Sequence, residues 1–150
     1  MSDASKARLR LWLRLLKAQR TIEAEIREKL RRDHDTTLPR FDVMAALWRV
    51  EKGLKMSELS GQLRVSNGNV TGIVDRLVED GLIERLPVEG DRRAMRVRLT
   101  GEGRASFAEM AEVHEGWIDQ MLSGIVIDVA EDMASQLHEI TEHIDRRNPS

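Results

Sequence analysis

Cysteine is absent from this sequence of 150 residues, and proline and aromatic residues are scarce. Without cysteine there can be no disulfide framework, no thiolate metal site and no thiol-based redox sensor. Only three prolines and a 33% share of charged residues describe a mostly helical globular chain rather than a disordered one. The length predicts a single domain over residues 1–150.

Long apolar runs are missing as well. Lys and Arg interrupt the apolar residues of the N-terminal stretch every two or three positions, unlike the apolar segment of a signal peptide. No run approaches the roughly 18 apolar residues that a membrane-spanning helix needs. We therefore expect a cytoplasmic protein that has no membrane partner.

Enzyme motifs are not found in the sequence. It contains no nucleophile elbow, phosphate loop or dinucleotide fingerprint. His138 and His143 are five residues apart, which places them about 140° apart around a helix and does not suit a zinc site. We expect no enzyme activity, no cofactor and no metal.

The formal net charge of -2 hides an asymmetry between the two ends of the chain. Residues 1–34 carry ten Lys and Arg against five Asp and Glu, whereas residues 105–150 carry two against ten. A polyanion would therefore meet very different surfaces at the two ends.

The two ends also carry long amphipathic patterns. Apolar residues recur at helical spacing over about 6–33, from a predicted cap at Thr100 to about Ser123 or Gly124, and from Val126 to Ile144. A helix with one apolar stripe must cover it. We therefore expect segments 5–35 and 105–147 to be dimerisation helices that interlock around a two-fold axis.

The middle of the chain, 37–104, has shorter elements. Thr37 is a predicted cap and Pro39 fits the first turn of a helix that runs to about Glu51. Ser57 and Ser66 are predicted to cap two short helices that are separated by a turn at residues 64 and 65. Gly81 is predicted to end the second helix in the left-handed conformation, and strands are predicted at 82–86 and 95–99.

Two helices joined by a tight turn and followed by a hairpin are typical of a winged helix-turn-helix. The predicted fold is therefore mainly α with a small β-hairpin wing, and residues 37–104 form the DNA-binding lobe. The second helix of such a pair fits the DNA major groove, and its small polar side chains reach phosphates and base edges. The residues that supply this chemistry are Ser66, Asn67, Asn69 and Thr71.

The hairpin segment "PVEGDRRAMRVRLT", residues 87–100, contains four arginines. We expect Arg92 or Arg93, at the tip of the exposed loop, to enter the minor groove, and Asp91 to hold an arginine side chain extended. For Arg96 and Arg98 a solvated hairpin face stays open, and of these two we take Arg96 as a candidate DNA contact.

Arg76 is a further candidate DNA contact. It has Asp75 beside it and Asp80 four residues on. Surface ion pairs therefore compete with a phosphate contact as the role of its guanidinium.

Residues 57–104 resemble the MarR (multiple antibiotic resistance regulator) family of bacterial transcription factors. The wing pattern reads Asp91, Arg93, Leu99, Thr100 and Gly103, and the Asp75-Arg76-Leu77 and Gly81-Leu82-Ile83 signatures also match. The resemblance implies a homodimeric, ligand-responsive regulator of double-stranded DNA, with Arg93 in the minor groove and Asp91 as its partner. Many relatives have an arginine where this chain has Gly72, so the operator bases cannot be carried over.

The resemblance also implies a small aromatic acid or thioester effector. Three tryptophans with nearby polar groups are candidates to line its pocket, and the candidate residues are Trp12, His34, Trp48, Arg49 and Trp117. The alternative is that the tryptophans fill the core or anchor an interface. We expect repression at a pseudo-palindromic operator. The alternative is a constitutive winged-helix module without a small-molecule switch.

Overall fold

The computed structural model describes residues 1–63 and 67–149, and it describes only the backbone of Asn67 and Gly68. The chain forms two compact units, Met1–His114 and Glu115–Ser150. The described residues form a mainly helical fold with one small sheet, as predicted. In chain order its elements are α1 (Asp3–His34), α2 (Leu38–Trp48), β1 (Leu54–Lys55), α3 (Met56–Leu63), α4 (Asn67–Glu79), β2 (Ile83–Val88), β3 (Asp91–Leu99), α5 (Gly101–Met121) and α6 (Ile127–Arg147).

Helix α1 starts three residues before the predicted position. The Ser2 hydroxyl accepts a hydrogen bond from the backbone N–H of Ser5 (3.1 Å) and caps the helix. Asp35, with φ 46°, ends it in the left-handed conformation. Only Ile26 and Leu30 of α1 are buried, and both lie in its C-terminal half.

Helix α2 begins as predicted and ends early. The Thr37 hydroxyl accepts a hydrogen bond from the backbone N–H of Arg40 (3.3 Å), and Pro39 lies in the first turn. The predicted end near Glu51 is wrong, because the chain already turns at 49–53 through backbone hydrogen bonds. Trp48 is the last helical residue and is 37% exposed.

The turn after α2 requires glycine. Gly53 has φ 92°, and a Cβ atom there would lie 2.3 Å from the carbonyl oxygen of Val97. Only glycine therefore lets the chain pass so close to β3. The turn leads into β1, which pairs Leu54 with Val97 and Lys55 with Arg96. The sequence pattern did not predict this strand, because two residues are too few to show alternation.

The predicted cap at Ser57 is also wrong. Helix α3 begins at Met56, so Ser57 lies inside it. The Glu58 carboxylate instead accepts a hydrogen bond from the backbone N–H of Lys55 (2.9 Å), as the third residue of a capping box does. The predicted turn at 64 and 65 and the predicted cap at Ser66 lie outside the described residues.

The wing is an antiparallel hairpin, and the strand order of the sheet is β1-β3-β2. The strand predicted to begin at Met95 begins at Asp91, because the turn takes only Glu89 and Gly90. Gly90 has φ 82°, which suits glycine in so tight a turn. The arginines predicted at the loop tip therefore lie in the first residues of β3.

A threonine joins the end of α4 to the start of α5. The Thr100 hydroxyl donates to the Gly81 carbonyl (2.7 Å) and accepts from the Gly103 backbone N–H (3.0 Å), which confirms the predicted cap. Gly81 has φ 76°, the predicted left-handed conformation. A Cβ atom on Gly103 would lie 2.0 Å from the Leu82 carbonyl oxygen, so α5 starts against this turn.

The core of the first unit holds its helices and the wing together. Residues from α1, α2, α3, α4 and β3 are at most 1% exposed, and they include Leu30, Val43, Met44, Leu47, Leu59, Val70, Val74, Leu77 and Val97. Val70, Val74 and Leu77 bring the inner face of α4 into this core.

In the second unit, α5 ends at Met121, before the predicted Ser123 or Gly124. No residue of α6 is buried. The predicted apolar stripe begins at Val126, the residue before α6, and continues along the helix. It is at least 41% exposed at each position, and its residues are Val126, Val129, Met133, Leu137, Ile140 and Ile144.

Candidate nucleic-acid interface

Helix α4 buries one face and exposes the other. Val70, Val74 and Leu77 face the core, and Asn69 and Thr71 lie on the exposed side. Gly72 is exposed beside them, and a Cβ atom there would meet nothing within 4 Å, so its lack of a side chain is not needed for packing inside the chain. The exposed side of α4 is therefore small and polar, as direct contact with a DNA groove requires.

Two further predicted DNA contacts are at the start of α4. Ser66 lies outside the described residues. Asn67 is the first residue of α4, and only its backbone is described. Their contribution to DNA binding stays a prediction.

The wing arginines lie on an irregular part of the hairpin. Pro87 pairs with Met95, but the next residue, Val88, pairs with Asp91, so Arg92, Arg93 and Ala94 have no partner in the ladder. Asp91, Arg92 and Arg93 are all exposed. The two guanidinium groups therefore project from a local bulge in β3 next to the turn.

Asp91 positions Arg93 through its main chain. Its carboxylate accepts a hydrogen bond from the backbone N–H of Arg93 (3.0 Å). From the sequence we predicted instead that the Asp91 carboxylate would hold the guanidinium group of an arginine. The described bond fixes the local turn of the backbone and leaves the side chain of Arg93 able to extend outward.

Other arginines of the lobe are engaged within the protein. Arg96 was predicted to contact DNA, but it is partly buried and donates to the Gly53 carbonyl (3.0 Å), which ties the wing to the turn after α2. Three more form ion pairs, which are Arg40 with Asp80, Arg85 with Asp75, and Arg98 with Glu84.

Arg76 is not a member of any of these three ion pairs. Its neighbours Asp75 and Asp80 both pair with other arginines. Arg76 is exposed, and within the described part of the chain it has no carboxylate partner. Its guanidinium is therefore available to a phosphate, together with those of Arg92 and Arg93.

The candidate ligand residues are only partly brought together. Trp48 packs on Phe107 (ring centroids 5.4 Å apart), which packs on Phe41 (5.2 Å), and Phe41 lies 4.7 Å from the His114 ring. The guanidinium of Arg104 lies 4.4 Å above the Trp48 ring. Arg104 was not predicted, although it follows the Thr100 cap by one helical turn.

The other candidate ligand residues differ in their exposure. Trp12 is 56% exposed on α1, and Arg49 is exposed at the end of α2. His34 is half-buried near the end of α1. Trp117 is buried, and it belongs to the second unit.

Burial is the main cause of a pKa shift at two titratable groups of the first unit, His114 and Asp42. Burial lowers the pKa of His114 below its usual 6.5, so the neutral imidazole is favoured beside Phe41. Partial desolvation, followed by the nearby Glu23 carboxylate, raises the pKa of Asp42, and Arg27 opposes this rise. Neither group lies on the exposed side of α4 or at the wing turn.

Residues 1–63 and 67–149 carry neither a metal-binding cluster nor a membrane-spanning helix. These residues contain no group of three His, Cys, Asp or Glu side chains that could hold a metal ion. None of their helices has the length and apolar character to span a membrane.

Comparisons with known proteins agree with this geometry. Residues 36–95 match the model of the MarR family. A regulator named PecS from Dickeya dadantii is 36% identical over 76 residues, which is 49% of this chain and 46% of the relative. The chain thus spans about half the length of this curated relative.

Solved structures match over nearly the whole chain. A MarR family transcriptional regulator from Silicibacter pomeroyi is 30% identical, with a TM-score of 0.78 over 96% of this chain and 99% of that one. A mutant MarR from E. coli complexed with operator DNA is 25% identical, with a TM-score of 0.76 over 93% of this chain and 99% of that one. The chain has the winged-helix fold of these regulators, and it belongs to the MarR family of transcriptional regulators.

Proposed function

We propose that this chain is a cytoplasmic regulator that binds double-stranded DNA as a homodimer. The observation that carries the proposal is the pairing of two surfaces on one lobe. The exposed side of α4 presents Asn69 and Thr71, and the wing presents Arg92 and Arg93 without a carboxylate partner in the described chain. The solved MarR structure with operator DNA supports this reading, since that protein shares the fold.

In the proposed complex α4 enters the major groove and the wing reaches the adjacent minor groove. Small side chains on α4 let the helix come close to base edges. An arginine suits the minor groove because phosphates on both sides deepen its negative potential. Arg76 adds a phosphate contact from the end of α4.

The dimer rests on the uncovered apolar residues of the terminal helices. The stripe of α6 is exposed along its length, and Leu9, Trp12 and Leu13 of α1 are each about half exposed. We propose that a second copy covers them. Two lobes related by a two-fold axis would read half-sites about one helical turn apart.

The proposed switch is a small aromatic, anionic effector. The aromatic cluster around Trp48 offers ring faces, and Arg104 offers a guanidinium for a carboxylate. An effector that binds one spacing of the two lobes better would shift the population toward it and release DNA. Repression is the proposed default. The alternative is a constitutive DNA-binding module.

DNA binding is tested with a duplex selected in vitro by the wild-type chain. Arg93→Ala should weaken its affinity by about 10-fold to 100-fold, because a groove contact is lost. Arg146→Ala, which removes an exposed arginine from the end of α6, is the matched control and should change it little. Undiminished binding by Arg93→Ala would remove the wing from the proposal.

The switch is tested separately by thermal shift with aromatic acids and their thioesters. A ligand that raises the melting temperature and also releases the selected duplex would support the regulator. DNA binding that no such compound alters would favour the constitutive module.

A further inference from the structure

The Asp75–Arg85 ion pair joins the two DNA-reading elements of the lobe. Asp75 lies on α4 one turn after Thr71, and Arg85 lies on β2 of the wing. Residues four apart on a helix share a face, so the Asp75 carboxylate lies beside the exposed polar side of α4. The pair therefore spans the gap between recognition helix and wing.

Arg85 reaches α4 because of its place in the hairpin. It is opposite Val97, and Ile83 on the same side of β2 is opposite Leu99. These three partners are at most 5% exposed, so this side of the sheet faces the core. Pro87, the next residue on that side, is exposed, so Arg85 lies where the wing leaves the body of the lobe.

The pair contributes little to folding. The side chains of Arg85 and Asp75 are 39% and 49% exposed. Exposed ion pairs add between nothing and about 1 kcal/mol to the free energy of unfolding. An effect on the orientation of the wing would therefore be visible in DNA binding without a matching loss of stability.

We propose that Asp75 and Arg85 are positioning residues that set the angle between α4 and the wing, so that the major-groove and minor-groove contacts form together. This inference rests on the proposed DNA-binding function. Arg96, which donates to the Gly53 carbonyl, holds β3 of the same hairpin to the turn after α2. The wing is thus held at two points, and both lie between the body of the lobe and the bulge that carries Arg93.

A simpler role would be charge compensation alone. In that case Arg85 only neutralises a carboxylate that would repel phosphates, and Asp75→Asn would strengthen DNA binding. If the pair positions the wing, Asp75→Asn weakens binding instead, because it frees the wing to move. The sign of this single change separates the two roles.

The main experiment compares two neutral double substitutions on the selected duplex. Asp75→Asn with Arg85→Gln removes one charge of each sign and should weaken affinity about 10-fold. Glu84→Gln with Arg98→Gln is the matched control. That pair lies on the other side of the same hairpin with 42% exposure of each side chain, and its loss should change affinity less than about 2-fold.

A second measurement is one that a purely structural role would not move. In the wild-type chain Arg93→Ala is expected to cost at least about 10-fold. In the Asp75→Asn, Arg85→Gln background it should cost less than about 3-fold, because the wing is no longer held at the groove. The single variant Asp75→Glu, which keeps a carboxylate partner for Arg85, should bind the selected duplex with nearly the wild-type affinity.

Each outcome decides the proposal. Equal or tighter binding by the Asp75→Asn, Arg85→Gln variant, or full additivity with Arg93→Ala, overturns the positioning role and leaves DNA binding intact. A wild-type chain that selects no duplex overturns both this inference and the proposed function. A melting temperature several degrees lower in the Asp75→Asn, Arg85→Gln variant alone would assign the pair to stability and overturn the inference.

Discussion

Helices α2 and α6 both carry apolar residues at helical spacing, but the chain buries these residues only in α2. Six of the 11 residues of α2 are buried, and none of the 21 residues of α6 is. The chain covers the apolar face of α2 with α1, α3, α4 and the wing, whereas the stripe of α6 stays open. Apolar periodicity therefore predicts a helix, but it does not say which molecule covers it.

The uncovered stripe is large enough to drive association. Full burial of one Leu, Ile or Val side chain contributes about 1.5 to 3 kcal/mol. The six apolar side chains of the α6 stripe are roughly half exposed, so covering them offers on the order of 5 to 9 kcal/mol before the costs of association. By contrast, Leu30, Leu47 and Leu77 of the first unit are already fully buried within the chain.

The largest predicted effect comes from a substitution in the apolar stripe of α6, which we propose is covered by a second copy of the chain. Ile140→Asp places a charge in the middle of the stripe, where burial without a partner is costly. We expect the dimer dissociation constant to rise at least about 100-fold and binding to the selected duplex to be lost at working concentrations. Analytical ultracentrifugation over a concentration series measures the association.

Ser135→Asp is the matched control, since it adds the same charge on the opposite, exposed side of α6. It should leave the association unchanged. A dimer that survives Ile140→Asp, or a wild-type chain that is monomeric, would contradict the proposal that a second copy covers the stripe.

The second prediction concerns the close contact between the start of α5 and the turn that ends α4. Gly103→Ala forces a Cβ atom to within 2.0 Å of the Leu82 carbonyl oxygen, so α5 must shift away from the turn that ends α4. We expect a loss of about 2 to 4 kcal/mol in the free energy of unfolding. Urea denaturation at one fixed protein concentration measures it.

Gly61→Ala in α3 is the matched control, because a Cβ atom there would meet nothing within 4 Å. It should be neutral or stabilise by up to about 1 kcal/mol. An equally stable Gly103→Ala variant would mean that α5 is not held at this turn.

Much of the lobe could be predicted from the sequence because its signals are local. Thr37 and Thr100 cap helices, and Gly81 takes the left-handed conformation, as their residue types indicate. The cap at Ser57 was wrong because Glu58 offers a competing partner to the backbone. Strand β1 was missed because its pairing with β3 depends on a contact more than 40 residues away in the chain.

The engagement of each arginine could not be predicted in the same way. Neighbours in the sequence suggested that Asp75 and Asp80 would pair with Arg76. The folded chain instead brings Arg85 and Arg40 to these carboxylates from distant elements. Partner choice among exposed charges depends on tertiary distances, which residue spacing does not contain.

The third prediction concerns Arg76, whose neighbouring carboxylates pair with Arg85 and Arg40 instead. Arg76→Ala should weaken the selected duplex about 3-fold to 10-fold and reduce the slope of log affinity against log salt by about one. Arg147→Ala, near the end of α6, should change neither quantity. An unchanged salt slope for Arg76→Ala would return Arg76 to the role of a solvated surface residue.

The smallest predicted effect is a pH dependence of the stability of the first unit. Burial lowers the pKa of His114, so between that lowered value and 6.5 the unfolded chain binds a proton that the folded chain does not. Stability from this group is therefore present above pH 6.5 and is lost as the pH falls below it. His114→Gln should reduce the drop in melting temperature between pH 7.5 and 5.5 by about 1 to 3 °C.

His143→Gln is the matched control, because His143 is exposed on α6 and lies in the second unit. It should keep the wild-type drop in melting temperature. An equal reduction in both variants would mean that the acid sensitivity comes from net charge. The effect would then belong to the whole chain and not to the burial of His114 beside Phe41.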